Sequence, residues 1–129
     1  MKTTKLVLLL TVTFLLTACS ASVEWARSYG QALNQSSAHF TNETETRSHT
    51  LTIRERMQTM TFDLEATVSR GTATFRLLDP DGALRWTQEV TPDSQLTTSK
   101  EYTPTAGEWT LEVALLDASG EYELVWRGH

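Results

Sequence analysis

Residues 60–68 read Met60-Thr61-Phe62-Asp63-Leu64-Glu65-Ala66-Thr67-Val68, apolar and polar in unbroken alternation. Successive side chains of a strand point to opposite faces, so this stretch has one buried face and one wet face. At helical spacing, Phe62, Asp63 and Glu65 would scatter over several faces. The same period of two recurs on either side. Leu51 and Ile53 alternate with Thr50, Thr52 and Arg54, and Ala73, Phe75 and Leu77 alternate with Thr72, Thr74 and Arg76. Trp109, Leu111, Val113 and Leu115 alternate with Glu108, Thr110 and Glu112, and Tyr122, Leu124 and Trp126 with Glu121, Glu123 and Arg127.

The punctuation between these runs suits antiparallel strands. In Asp79-Pro80-Asp81-Gly82, proline presets φ and glycine tolerates a positive φ, which predicts a hairpin turn. Asp117-Ala118-Ser119-Gly120 predicts a type I turn closing on a glycine bulge. Pro92 and Pro104 lie between apolar runs, so the prolines all fall outside strand interiors. The expected fold is all-β: an antiparallel, jelly-roll-like β-sandwich of about seven or eight strands. Phe62, Phe75, Trp86, Trp109, Tyr122 and Trp126 are the large core candidates, each able to bury about 150–250 Å².

The N-terminus has a different character. Lys2 and Lys5 precede an apolar run over residues 6–16. As a helix that run spans about 16 Å, against the roughly 30 Å of a bilayer core. It therefore suits the apolar region of a secretory signal and is short for a membrane span. Leu16-Thr17-Ala18-Cys19 resembles the bacterial lipobox, a branched apolar residue and two small residues before an obligatory cysteine. The resemblance implies cleavage between Ala18 and Cys19 and lipidation of the Cys19 thiol. Two or more acyl chains anchor a protein stably where one is marginal. In a two-membrane bacterium Ser20 further implies sorting to the outer membrane, facing the periplasm; in a one-membrane host Ser20 decides nothing and the anchored protein sits at the cell surface.

The expected organisation is a lipoprotein signal peptide over residues 1–18, and a lipidated terminus and tether over residues 19–45. The tether carries a possible short helix over residues 23–33 and a first strand near residues 38–42. The sandwich follows over residues 46–129. Cys19 is the single cysteine, which excludes an internal disulfide. The net charge of −5 disfavours nucleic-acid binding, which relies on neutralising phosphates.

Within the sandwich, three segments together resemble the bacterial pre-peptidase C-terminal domain and related small lipoproteins. They are Phe75-Arg76-Leu77-Leu78-Asp79-Pro80-Asp81-Gly82, Ala106-Gly107-Glu108-Trp109-Thr110-Leu111-Glu112-Val113 and Gly120-Glu121-Tyr122-Glu123-Leu124. The resemblance implies a jelly-roll-like sandwich of the kind appended to secreted enzymes, although no peptidase domain accompanies it here.

Chemistry-bearing constellations are sparse. Asp79 and Asp81 are hard ligands in a tight turn and weak calcium candidates, because calcium takes about six to eight oxygens and the loop supplies no further acids at alternate positions. His39, His49 and His129 show no metal-ligand spacing, and His49 reads as a surface or edge residue. No Gly-x-Ser-x-Gly elbow occurs. The paired Glu and Asp residues read as a solvated strand face. Trp86, Trp109 and Trp126 could stack on sugar rings if exposed, but each fits an inward register. The expectation is a membrane-anchored, non-catalytic interaction domain of the cell envelope, with no cofactor and no metal, and an envelope protein or polysaccharide as partner. The alternatives are a carbohydrate- or envelope-polymer-binding module and, more weakly, a small hydrolase.

Overall fold

The computed structural model describes residues 32–129. The signal peptide, Cys19 and most of the expected helix over residues 23–33 lie outside the described residues; Ala32 and Leu33, its last two, are strand. Five strands form one antiparallel sheet: β1 (Ala32–Ile53), β2 (Met60–Leu78), β3 (Leu84–Val90), β4 (Leu96–Tyr102) and β5 (Gly107–Gly128).

Three of these strands are too long to lie flat, and each is creased once. The β1–β5 register shifts between Phe40 and Glu43 and again by Glu45, and the β2–β5 register shifts between Val68 and Thr72. A bulge inserts an extra residue and bends the strand. Here it also changes which residue parity faces inward. In β2 the buried set is Met60, Phe62, Leu64, Ala66 and Val68 before the crease, and Ala73, Phe75 and Leu77 after it. Three of the five positive φ values among the described residues fall on the same line, at Asn42, Gly71 and Asp117. Polar side chains lock it: the Asn42 and Asp117 amides donate to Ser119 Oγ and Thr44 Oγ1, both at 2.9 Å.

The creased sheet folds on itself into two layers. The front layer orders residues 32–40 of β1, 120–128 of β5, 60–68 of β2, and β4. The back layer orders residues 43–53 of β1, 107–118 of β5, 72–78 of β2, and β3. Five strands thus supply the eight segments of a jelly-roll-like β-sandwich. Aromatic contacts run between the layers: Phe62 meets Trp86 at 5.5 Å, Phe75 meets Tyr122 at 5.7 Å, and Tyr102 meets Trp109 at 6.2 Å between centroids. At the end opposite the crease, Gln58 and Thr59 donate to the His129 carbonyl and close the layers together.

The sheet departs from the sequence reading in two places. Residues 32–45, assigned to the tether, are strand, and the strand expected near residues 38–42 is part of a strand 22 residues long. Its first four inward positions are small or polar (Ala32, Asn34, Ser36, Ala38), and Phe40 next to the crease is the first large apolar one, because β1 is the edge of both layers and borders the core on one side only. Asp117-Ala118-Ser119-Gly120 is no hairpin turn. It lies inside β5 at the crease, which needs the same permissive residues as a turn. The Asp79–Gly82 hairpin does join β2 to β3: the Gly82 amide donates to the Asp79 carbonyl at 2.9 Å, and Gly82 has φ +81°.

Candidate functional site

The front layer presents its outer face as a grid of cross-strand rungs. Next to the crease, Ser37, Glu123 and Glu65 share one rung, flanked by Thr97 of β4; His39, Glu121 and Thr67 share the next. These two rungs line a depression of about 280 Å³, floored by Ala38, Ala66 and Tyr122. Strand pleating explains its composition, since every second residue of β1, β2 and β5 points outward here. His39 Nδ1 lies 3.3 Å from Glu121 Oε2, with both side chains mostly exposed. Such a pair contributes little to stability.

Glu65 stands directly opposite Glu123 on this face. Like charges directly opposite destabilise a strand pair by a few tenths to about 1 kcal/mol. Among the described residues, no arginine or lysine lines the depression. The groove therefore offers carboxylate and hydroxyl oxygens and one imidazole to a ligand that supplies hydrogen-bond donors.

A second polar cluster lies at the side of the sandwich bordered by β1. His49 Nε2 and the Tyr122 hydroxyl are 2.7 Å apart, with their rings edge-on at 5.7 Å. Arg47 bonds Glu45 through Nε at 2.6 Å and also bonds Glu43. Asn34 Nδ2 donates to the Thr50 carbonyl at 2.9 Å and ties the two halves of β1 together. Burial lowers the His49 pKa, and the neighbouring Arg47 charge adds to the effect. The Arg47 hydrogen bond holds Glu45 below the ordinary carboxylate range. Burial raises Tyr122.

The folded pKa of His49 lies below its unfolded value, so the unfolded chain takes up the proton first. Its contribution to stability is complete above the unfolded pKa of about 6.5 and is lost as pH falls toward the lowered folded value. Urea midpoints should therefore drop as pH falls below about 6.5, and His49→Gln should flatten that segment.

The residues singled out from sequence sit elsewhere. Asp79 Oδ1 accepts from the Asp81 and Ala83 amides at 3.0 and 2.9 Å, and Oδ2 is 3.7 Å from Arg85, so this carboxylate is engaged in shaping the hairpin. Asp81 is exposed in the same turn. Among the described residues, no group of three or more His, Cys, Asp or Glu could hold a metal ion. Trp109 and Trp126 are fully buried and unavailable for stacking, and Trp86 is half-buried against Phe62. His49, expected at a surface or edge, is on the edge strand but faces inward and is half-buried. Of the groove residues, the sequence points by name only to His39 as a site candidate, weighed as a metal ligand. Ser37, Glu65 and Glu123 are distant in sequence, and only the register between strands brings them onto one rung.

No protein-family model matches the chain, and no curated protein does. Several solved structures are similar to it in part. One, from work on Bacillus endospore appendages that form disulfide-linked pili, has 11% identity and a TM-score of 0.48 over 76% of this chain and 87% of that one. A CBM4 structure has 12% identity and a TM-score of 0.47 over 74% and 71%. The CBM36-1 domain of a multidomain xylanase from the hindgut metagenome of Trinervitermes trinervoides has 12% identity and a TM-score of 0.46 over 78% and 97%. At these values the likeness assigns this chain no ligand.

Proposed function

We propose that this chain is an exported, lipid-anchored protein of the bacterial envelope whose sandwich binds a polysaccharide, without catalysis, in the groove of the front layer. The observation that carries the binding reading is Glu65 directly opposite Glu123 beside Glu121. The fold gains nothing from that arrangement, since opposed like charges cost stability. Carboxylates accept hydrogen bonds from paired hydroxyls, and Ser37 and Thr67 add groups that both donate and accept. A hydroxyl-rich chain lying across the rungs meets these acceptors, while a nucleic acid or anionic polymer is repelled. Lys2, Lys5 and the Leu16-Thr17-Ala18-Cys19 box support export and anchoring.

Affinity electrophoresis of residues 20–129 through gels containing envelope polysaccharides tests the binding. Glu65→Gln/Glu123→Gln should weaken retardation about tenfold, a loss of roughly 1.4 kcal/mol. The same substitutions should raise the melting temperature by a few degrees, because they remove the charge opposition. Unchanged retardation in this double variant, or retardation by none of the polymers, would contradict the reading. Anchoring is tested separately: Cys19→Ser should give a soluble or unprocessed protein, and a mature-size species still in the membrane fraction would refute it.

A further inference from the structure

On the side of the sandwich away from β1, the back layer ends in β3 and the front layer in β4, and among the described residues each pairs only with β2. Directly opposite residues of paired strands share one face of the sheet. Trp86 of β3 stands opposite Leu77, and Lys100 of β4 stands opposite Phe62; both partners are fully buried. Trp86 and Lys100 therefore occupy inward positions, one from each layer. Trp86 meets Phe62 edge-on at 5.5 Å and remains half-buried. Lys100 is exposed, and it is the only lysine after Lys5. The core by itself would place an apolar residue at this inward position, where it would cover Trp86. Among the described residues Lys100 forms no ion pair, whereas Arg47, Arg76 and Arg85 each stand beside a carboxylate. Lys100 does not stack either: the two cation–π contacts among the described residues belong to Arg85, at 5.9 Å over Tyr102 and 5.5 Å over Trp109. Arg85 is also 3.7 Å from Asp79, so it is committed to the end of the core. An inward charge also guards an edge strand against pairing, but that role requires no half-exposed indole in the facing layer.

We infer that this β3–β4 side is a second binding site, and that it takes an acidic sugar: the apolar C–H face of a uronate ring lies on the Trp86 indole, and its carboxylate bonds the Lys100 ammonium. Ligand sites of this kind combine an apolar platform with a few convergent polar groups. Charge complementarity selects the ligand. A neutral sugar would use the indole and leave the one unpartnered ammonium without an acceptor, while a carboxylate satisfies it with a charge-assisted hydrogen bond. Thr98, the next inward residue of β4 and opposite buried Leu64, adds a hydroxyl that can donate to or accept from the ring hydroxyls. The site differs in sign from the groove, whose three glutamates repel a uronate. The inference is therefore independent of what the groove binds.

Titration of residues 20–129, which contain the entire core of the 32–129 unit, with a galacturonic acid trisaccharide tests this through amide and indole chemical shifts. The Trp86 indole and residues 98–100 should move. A neutral galactose trisaccharide should bind about fivefold more weakly, as expected for one partly exposed ion pair. Lys100→Gln should abolish that preference and Lys100→Arg should keep it. The circular dichroism spectrum should be retained in both, because residue 100 is exposed. Added salt should weaken binding of the acidic trisaccharide and leave the neutral one unchanged. Glu65→Gln/Glu123→Gln should not weaken binding at Trp86, so failure of this inference and failure of the groove reading are distinguishable. An unmoved Trp86 indole, equal affinity for the two trisaccharides, or a preference that survives Lys100→Gln would each overturn the inference. Shifts confined to residues 37–39, 65–67 and 121–123 would overturn it as well and would assign the acidic sugar to the groove.

Discussion

Gly71→Ala is expected to destabilise the domain by about 3 kcal/mol or more, from two causes that act together. Gly71 has φ +73°, a left-handed conformation that costs a residue with a Cβ about 1 kcal/mol or more. The new methyl would also stand 2.2 Å from the Asp117 carbonyl oxygen and 2.4 Å from that of Leu116, so neighbouring backbone would have to move. That backbone is the crease of β5, and the two layers meet only because β1, β2 and β5 fold along one line. Gly82→Ala separates the causes. Gly82 has a similar φ of +81°, but a Cβ there meets nothing within 4 Å. It should lose only the conformational part, about 1 kcal/mol. Urea titrations of both variants should show a much larger drop in midpoint for Gly71→Ala. Equal drops would mean that the crease is not tightly packed.

Trp126→Ala and Trp109→Ala should each cost about 3–5 kcal/mol, the range for deleting a buried large aromatic. Both side chains are fully buried, and Trp126 stands edge-on to Phe62 at 5.9 Å. Replacement by phenylalanine distinguishes them. Trp109 Nε1 donates to the Thr105 carbonyl at 2.9 Å, and Arg85 sits 5.5 Å over its ring. Trp126 Nε1 is buried and has no hydrogen-bond partner among the described residues. An unsatisfied buried donor already costs about 1–3 kcal/mol, so Trp126→Phe recovers part of its lost packing and Trp109→Phe does not. Trp126→Phe should therefore melt higher than Trp109→Phe. The reverse order would mean that the Trp126 indole has found a partner.

The alternation over residues 60–68 carried the fold class because each inward residue there is bulky enough to mark its face. The Asp79–Gly82 turn was equally legible, since its chemistry admits few alternatives. The change from even to odd inward residues between Val68 and Ala73 was also visible. It reads equally well as two strands joined by a turn or as one strand with a bulge, and only the pairing with β5 decides. Residues 32–45 were obscure for a different reason. On this edge strand only Phe40 is a large buried apolar residue between Ala32 and Glu45, so its composition imitates a tether. The groove was least legible. Glu65, Glu121 and Glu123 are each an ordinary outward residue of an alternating strand. Their opposition is a property of register, which depends on crease positions that the sequence does not announce.

The proposed binding surface is the outer face of the front layer, beside the crease. Amide chemical-shift mapping of residues 20–129, titrated with the polysaccharide that retards the protein most, tests it directly. The account predicts the largest shifts at residues 37–39, 65–67 and 121–123, saturating together with one affinity. Shifts confined to the Asp79–Gly82 hairpin and the β3–β4 edge around Trp86, with these segments unmoved, would contradict it.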